Sequence, residues 1–178
     1  MRARKGVWRR ALVVLAVAIG SVTATGVASS GATADSSRDS LRGAVSGKLS
    51  EAFGERAGDP VRFKIDARGG PGATTGTFAV FHGNGTTNEV LGDFEGDITC
   101  LMTAGEVAIA TGVITKGHVN LPGVDRDVTG KKVSFTVHDD GGHDRMYWMW
   151  EFLGAPINNC VGMAPGFVPS HGDFKVRD

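Results

Sequence analysis

Lys132-Val133-Ser134-Phe135-Thr136-Val137-His138 runs into Asp139-Asp140-Gly141-Gly142-His143-Asp144, and the chain resumes as Arg145-Met146-Tyr147-Trp148-Met149-Trp150-Glu151-Phe152. Val133, Phe135 and Val137 alternate with Ser134, Thr136 and His138. This is the period of two that puts successive side chains on opposite faces of a strand. Met146, Trp148, Trp150 and Phe152 repeat the pattern after the turn. Asp and Gly between two such runs make a hairpin: Asp caps its own backbone and Gly accepts positive φ. The pair therefore predicts two antiparallel strands with a shared apolar face.

The same grammar extends outward. Val61, Phe63 and Ile65 alternate with Arg62, Lys64 and Asp66, and Gly69-Gly70-Pro71-Gly72 ends that run. Thr77 to Phe81 reads as a strand stopped by Gly83-Asn84-Gly85. Val90 to Phe94 leads into Asp97 to Met102, where the alternation puts Ile98, Cys100 and Met102 on one face. Val107 to Ile114 returns after Ala104-Gly105. Residues 118–129 and 154–172 read as loops, and Asp173 to Arg177 as a short last strand. Leu41, Val45, Leu49 and Phe53 recur every four residues as in a helix, but Gly43 and Gly47 lie inside the run, each costing a helix about 1 kcal/mol relative to Ala. A strand at 44–50 is preferred, with the helix as the alternative. Seven or eight short strands with regular turns give an all-β, single-domain antiparallel architecture, either a β-sandwich or a closed barrel.

The N-terminus carries a different message. Arg2, Arg4, Lys5, Arg9 and Arg10 precede an apolar run from Ala11 to Ile19, and a small, polar stretch ends in Ala32-Thr33-Ala34. These are the three parts of a secretory signal peptide. The apolar run is too short for a permanent span, which needs roughly 20 residues. Cleavage is expected after Ala34, giving a signal peptide at 1–34, a flexible segment at 35–43 and the β-domain at 44–178. Arg9-Arg10 leaves twin-arginine export open beside the general secretory route. The whole chain is balanced at 19 basic and 19 acidic residues, but the leader removes five basic and no acidic ones, so the mature chain is acidic. That balance argues against nucleic acid or an anionic membrane surface as partner, and no membrane span is expected in the mature chain. Cys100 and Cys160 are the two cysteines, and export makes a disulfide between them the expected state.

With these elements in place, the chain resembles a known group. Gly76-Thr77-Phe78 with His82, Phe94-Glu95-Gly96-Asp97-Ile98-Thr99-Cys100-Leu101, Val133-Ser134-Phe135-Thr136-Val137 with Asp139-Asp140-Gly141, and Gly172-Asp173-Phe174-Lys175-Val176 occur in an order similar to that of secreted β-domains of actinobacteria, some labelled repetin-like, and of modules found beside anchored bacterial surface proteins. The resemblance covers roughly residues 44–178. It implies a small exported all-β domain and brings no catalytic residues with it.

Two clusters could carry chemistry. His138, Asp139, Asp140, His143 and Asp144 could hold a divalent ion, Ca²⁺ on the carboxylates or a transition metal on the imidazoles. A plain hairpin turn explains the same residues, and no cofactor is otherwise indicated. Trp148 and Trp150 read as core, whereas Tyr147 and Met149 point the other way and could form an exposed platform for a ligand. The five histidines (82, 118, 138, 143 and 171) sit in loops and strand ends, and no G-x-S-x-G nucleophile elbow occurs. The leading functional expectation is an exported, non-catalytic β-module of the cell envelope or medium with an envelope or extracellular ligand. A metal-binding β-domain using the 138–144 turn comes next, and a secreted hydrolase last. Convergence of the histidines in one cleft would favour the hydrolase. An apolar cavity inside a barrel would favour a small-ligand binder.

Overall fold

A computed structural model describes residues 39–124 and 126–178; the expected leader lies outside them. Eight strands follow one another: β1 (Ser40–Lys48), β2 (Pro60–Arg68), β3 (Thr75–Gly83), β4 (Val90–Ala104), β5 (Val107–Val119), β6 (Lys132–His138), β7 (Arg145–Trp150) and β8 (His171–Arg177). They form one antiparallel sheet in the order β7-β6-β5-β4-β3-β2-β1-β8. The sandwich alternative therefore gives way to a single curled sheet. β1 begins at Ser40, so residues 40–43, expected to be flexible, are part of the sheet. The helix alternative for 41–53 reduces to a 3-10 turn, Glu51–Arg56.

Curling brings strands that are not neighbours face to face. Phe63 of β2 meets Phe135 of β6 edge-on at 6.5 Å between ring centres, and Trp148 of β7 at 4.5 Å. Phe63, Ile65, Val133, Phe135 and Val137 are all buried in one cluster, against which Trp148 and Trp150 pack half-buried. The period-two pattern thus places its apolar residues on a common interior, as expected. Phe78 fills that interior because β4 and β5 pass it at glycines: a Cβ at Gly96 would meet its ring at 2.7 Å, and one at Gly112 at 3.0 Å.

β4 corrects one expectation. Its pairing with β5 slips between Ile98 and Cys100, which oppose the consecutive residues Gly112 and Thr111. A bulge inserts one residue and exchanges the faces beyond it. Leu101, not Cys100, therefore joins Ile98 in the core, and Cys100 turns to the outer face. There it is joined to Cys160, with Cα atoms 5.5 Å apart.

That disulfide holds the C-terminal loop over the outer face of β4, β5 and β6. The Cys160 N–H donates to Thr111 Oγ1 (3.1 Å), and Ser134 Oγ donates to the Val161 carbonyl (2.7 Å). Ser134 and Thr136, on the face that alternation alone would leave in water, are buried. Thr136 Oγ1 has no hydrogen-bond partner, and Gly162 packs so tightly on it that a Cβ there would collide. An unpaired buried hydroxyl costs about 1–3 kcal/mol. Thr136→Val keeps the branched shape and removes that cost, so it is expected to leave stability unchanged or raise it by about 1 kcal/mol in urea melts. A clear loss would show that the hydroxyl has a partner.

Candidate functional site

The two edge strands do not share a backbone ladder. The curl closes through side chains of the β6–β7 hairpin. The Phe174 N–H of β8 donates to Asp144 Oδ2 (2.6 Å), and the Val176 N–H donates to Asp139 Oδ2 (3.0 Å). Phe174 and Val176 are two apart on one strand, so their N–H groups point the same way, toward the hairpin. One backbone bridge, Met146 with Phe167, completes the seam. The two carboxylates thus do the work of the acceptors that a ninth strand would supply.

This geometry divides the five residues of the 138–144 cluster. Asp139 and Asp144 turn inward to β8 and meet Asp173, the three offering carboxylate oxygens within 4.8 Å of one another. Asp140 stays in the turn and accepts from the His143 N–H, while the exposed His143 ring stays outside the group. His138 faces Glu106 at 3.6 Å. The histidines are therefore not brought to the carboxylates, and Asp173, distant in sequence, is. Lys175 Nζ already lies 3.3 Å from Asp139 and 3.0 Å from Asp173, supplying positive charge to the cluster. Burial pushes the Asp139 carboxyl up, but the N–H groups of Val176 and Gly141 and the Lys175 ammonium outweigh it and hold the group below its ordinary value. Asp144 goes the other way: burial raises it, and the charges of Asp173 and Asp139 add to that against the Phe174 N–H.

The second site is the aromatic end of the curl. An apolar pocket of about 510 Å³ opens between the interior of the sheet and the loops that follow β1, β5 and β7. Phe63, Val80 and Phe94 form its floor, and Leu121 and Val124 stand at its rim. β7 supplies the wall. Trp150 stacks on Phe152 at 5.9 Å with planes 8° apart, and Trp148 stacks on Phe53 at 5.5 Å with planes 11° apart. Trp148 and Trp150 are core residues on one side and pocket wall on the other. Tyr147 and Met149 are half-buried and border the same pocket, with Tyr147 stacked against Trp148 at 5.9 Å. The platform expected to be exposed at these two residues is half-buried and borders the open pocket.

Two side chains with a basic group line the pocket, Arg56 and His82. Arg56 ends the 3-10 turn after β1, and His82 lies near the end of β3. His82 Nε2 lies 2.9 Å from Asp59 Oδ2, and the other oxygen of Asp59 accepts the Gly85 N–H at 2.8 Å. Asp59 is buried, and its hydrogen bond to Nε2 holds the imidazole in place. Burial is the main cause that lowers the His82 pKa; the Asp59 hydrogen bond opposes it and the Arg56 charge adds to it. The ring is accordingly neutral at pH 7. Arg56 belongs to no pattern in the sequence; His82 stands there only in the motif of the resemblance and among the scattered histidines.

The remaining histidines lie elsewhere. His118 and His138 occupy opposite ends of the β5–β6 region, His143 is exposed in the hairpin turn, and His171 contacts Ser170 Oγ at 2.9 Å. Among the described residues only His82 lines the apolar pocket, and none of these residues forms a helix long and apolar enough to cross a membrane. In comparisons with known proteins, no family model, no curated protein and no solved structure matches this chain.

Proposed function

We propose that the domain is an exported, non-catalytic binding module that seats a small apolar ligand in the aromatic end of its curled sheet. The observation that carries this reading is the pocket itself: about 510 Å³, walled by stacked aromatics, with few polar groups. Small-ligand sites have this size and character, and the mouths of curled or closed sheets are where they occur. The scattered histidines weigh against the hydrolase. The basic block, short apolar run and A-x-A site support export, as does a disulfide, which persists in oxidising compartments. The ligand is then a molecule of the cell envelope or medium, and the similarity to exported actinobacterial β-domains agrees with that setting.

The test uses a neutral fluorescent probe, N-phenyl-1-naphthylamine. Fluorescence titration of the mature protein is expected to saturate at one site with a Kd on the order of 1–10 µM, the range that ligand-efficiency limits allow a compact apolar molecule. Gly92 lines the pocket, and a Cβ there would meet Val119 and Phe94 at ordinary distances of 3.5–3.6 Å. Gly92→Leu should therefore fold and, by filling space, weaken the probe about tenfold or more. Non-saturating binding, or binding indifferent to Gly92→Leu, would remove the pocket reading.

A further inference from the structure

We infer that the ligand of this pocket carries an acidic group on its apolar body, and that Arg56 receives it. The inference rests on the small-ligand reading above and adds a chemical class to it. Arg56 and His82 are the ionisable residues with a basic group among those lining the pocket, and no carboxylate lines it among the described residues. The acid beside them, Asp59, is spent: one oxygen binds the Gly85 N–H and the other binds His82. Among the described residues no carboxylate lies within ion-pair distance of Arg56, whose side chain is partly buried.

Arg56 lines the apolar pocket while part of its side chain stays in reach of water. An anion that enters is favoured there, because the planar fork of donors pairs with an acidic group through two charge-assisted hydrogen bonds. The low polarity of the surroundings strengthens that pairing. The charge is also local. The mature chain is acidic as a whole, and Arg56 is the one Lys or Arg lining the pocket. Asp59 holds His82 by Nε2, and its other nitrogen has no hydrogen-bond partner among the described residues. The ligand class that matches is a flat, apolar molecule ending in a carboxylate or sulfonate.

Two probes with the same ring skeleton separate this inference from the reading beneath it. 1-Anilinonaphthalene-8-sulfonate carries an acidic group, and N-phenyl-1-naphthylamine does not. The wild-type mature protein is expected to bind the sulfonate about tenfold more tightly, the value of a charge-assisted hydrogen bond at a partly desolvated site. The sulfonate should displace the neutral probe one for one. Arg56→Gln should bring the two affinities together, and Arg56→Lys should keep part of the preference, since it retains the charge and loses the fork. Melting curves of both variants check that they fold. Equal wild-type affinities, a preference that survives Arg56→Gln, or a sulfonate that fails to displace the neutral probe would each overturn the acidic-ligand inference while leaving the apolar pocket standing. Failure of both probes to saturate would instead remove the pocket reading itself.

Discussion

Phe135→Ala is expected to lower the unfolding free energy by about 3–5 kcal/mol, the range for removing a large buried aromatic and leaving a cavity. Phe135 is fully buried at the middle of β6. It is also the residue on which several parts of the curl converge. Its ring lies 5.3 Å from Phe78 of β3, 6.5 Å from Phe63 of β2 and 5.8 Å from Trp150 of β7. Aromatic pairs contribute about 0.5–1.5 kcal/mol each beyond area burial, which favours the upper end of the range. A domain of this size has roughly 5–15 kcal/mol in all, so the variant should sit close to its unfolding threshold. Urea melts followed by tryptophan fluorescence measure the loss directly. A loss below about 1.5 kcal/mol would mean that the interior collapses around the gap, as a tightly packed curl should not.

Breaking the disulfide is expected to cost a similar amount by a different route. Cys100 and Cys160 close a loop of 60 residues, for which the chain-entropy account gives about 4 kcal/mol at 25 °C. The native state also loses: the loop that covers Thr111 and Ser134 is tethered at this bond, and its two hydrogen bonds to them would loosen with it. The paired substitution Cys100→Ala/Cys160→Ala should lower the urea midpoint accordingly. Reduction of the wild type should approach the same midpoint. Coincident midpoints for the oxidised protein and the double variant would show that the loop holds its place without the bond.

Much of the fold can be read locally. The bounds of β6 coincide with those expected, and the apolar faces of β2, β6 and β7 follow from alternation alone, because a strand buried on one side leaves a period of two in its sequence. Three features escape such reading. The bulge in β4 arises from its pairing with β5; nothing in Ile98-Thr99-Cys100-Leu101 marks the slipped register, so the alternation assigns Cys100 and Leu101 to the wrong faces. The burial of Ser134 and Thr136 depends on a loop with no periodicity of its own, placed by a covalent bond to another strand. The inward turn of Asp139 and Asp144 depends on β8, about 30 residues further on; within their own segment they look like any turn carboxylates.

The pocket follows the same division. Its aromatic wall was visible as the run from Tyr147 to Phe152, because hydrophobic residues concentrated in one strand announce themselves. Its polar end was not, since Arg56, Asp59 and His82 come from a turn, a strand edge and a strand terminus. A general cue did exist. Asp59 is a charged residue directly before the apolar run of β2, and a buried carboxylate needs partners that must come from elsewhere. Naming His82 and Gly85 as those partners requires the pairing of β2 with β3.

β1 lies between β2 and β8, and Ser40 is paired with Arg177, so the strands that come first and last in chain order are neighbours. Every other ladder joins strands consecutive in the chain and can form as a growing meander. The β1–β8 pairing alone must bring Ser40–Ser46 and His171–Arg177 together, at the entropic cost of closing the whole β-domain into a ring. A distant pairing of this kind slows folding relative to the local ladders. Until His171 to Arg177 arrive, one edge of β1 presents unpaired backbone groups to any other extended segment nearby, including the same strand of a neighbouring molecule. The time-course of folding, and the concentration at which it proceeds cleanly, are thus governed by the seven residues of β8.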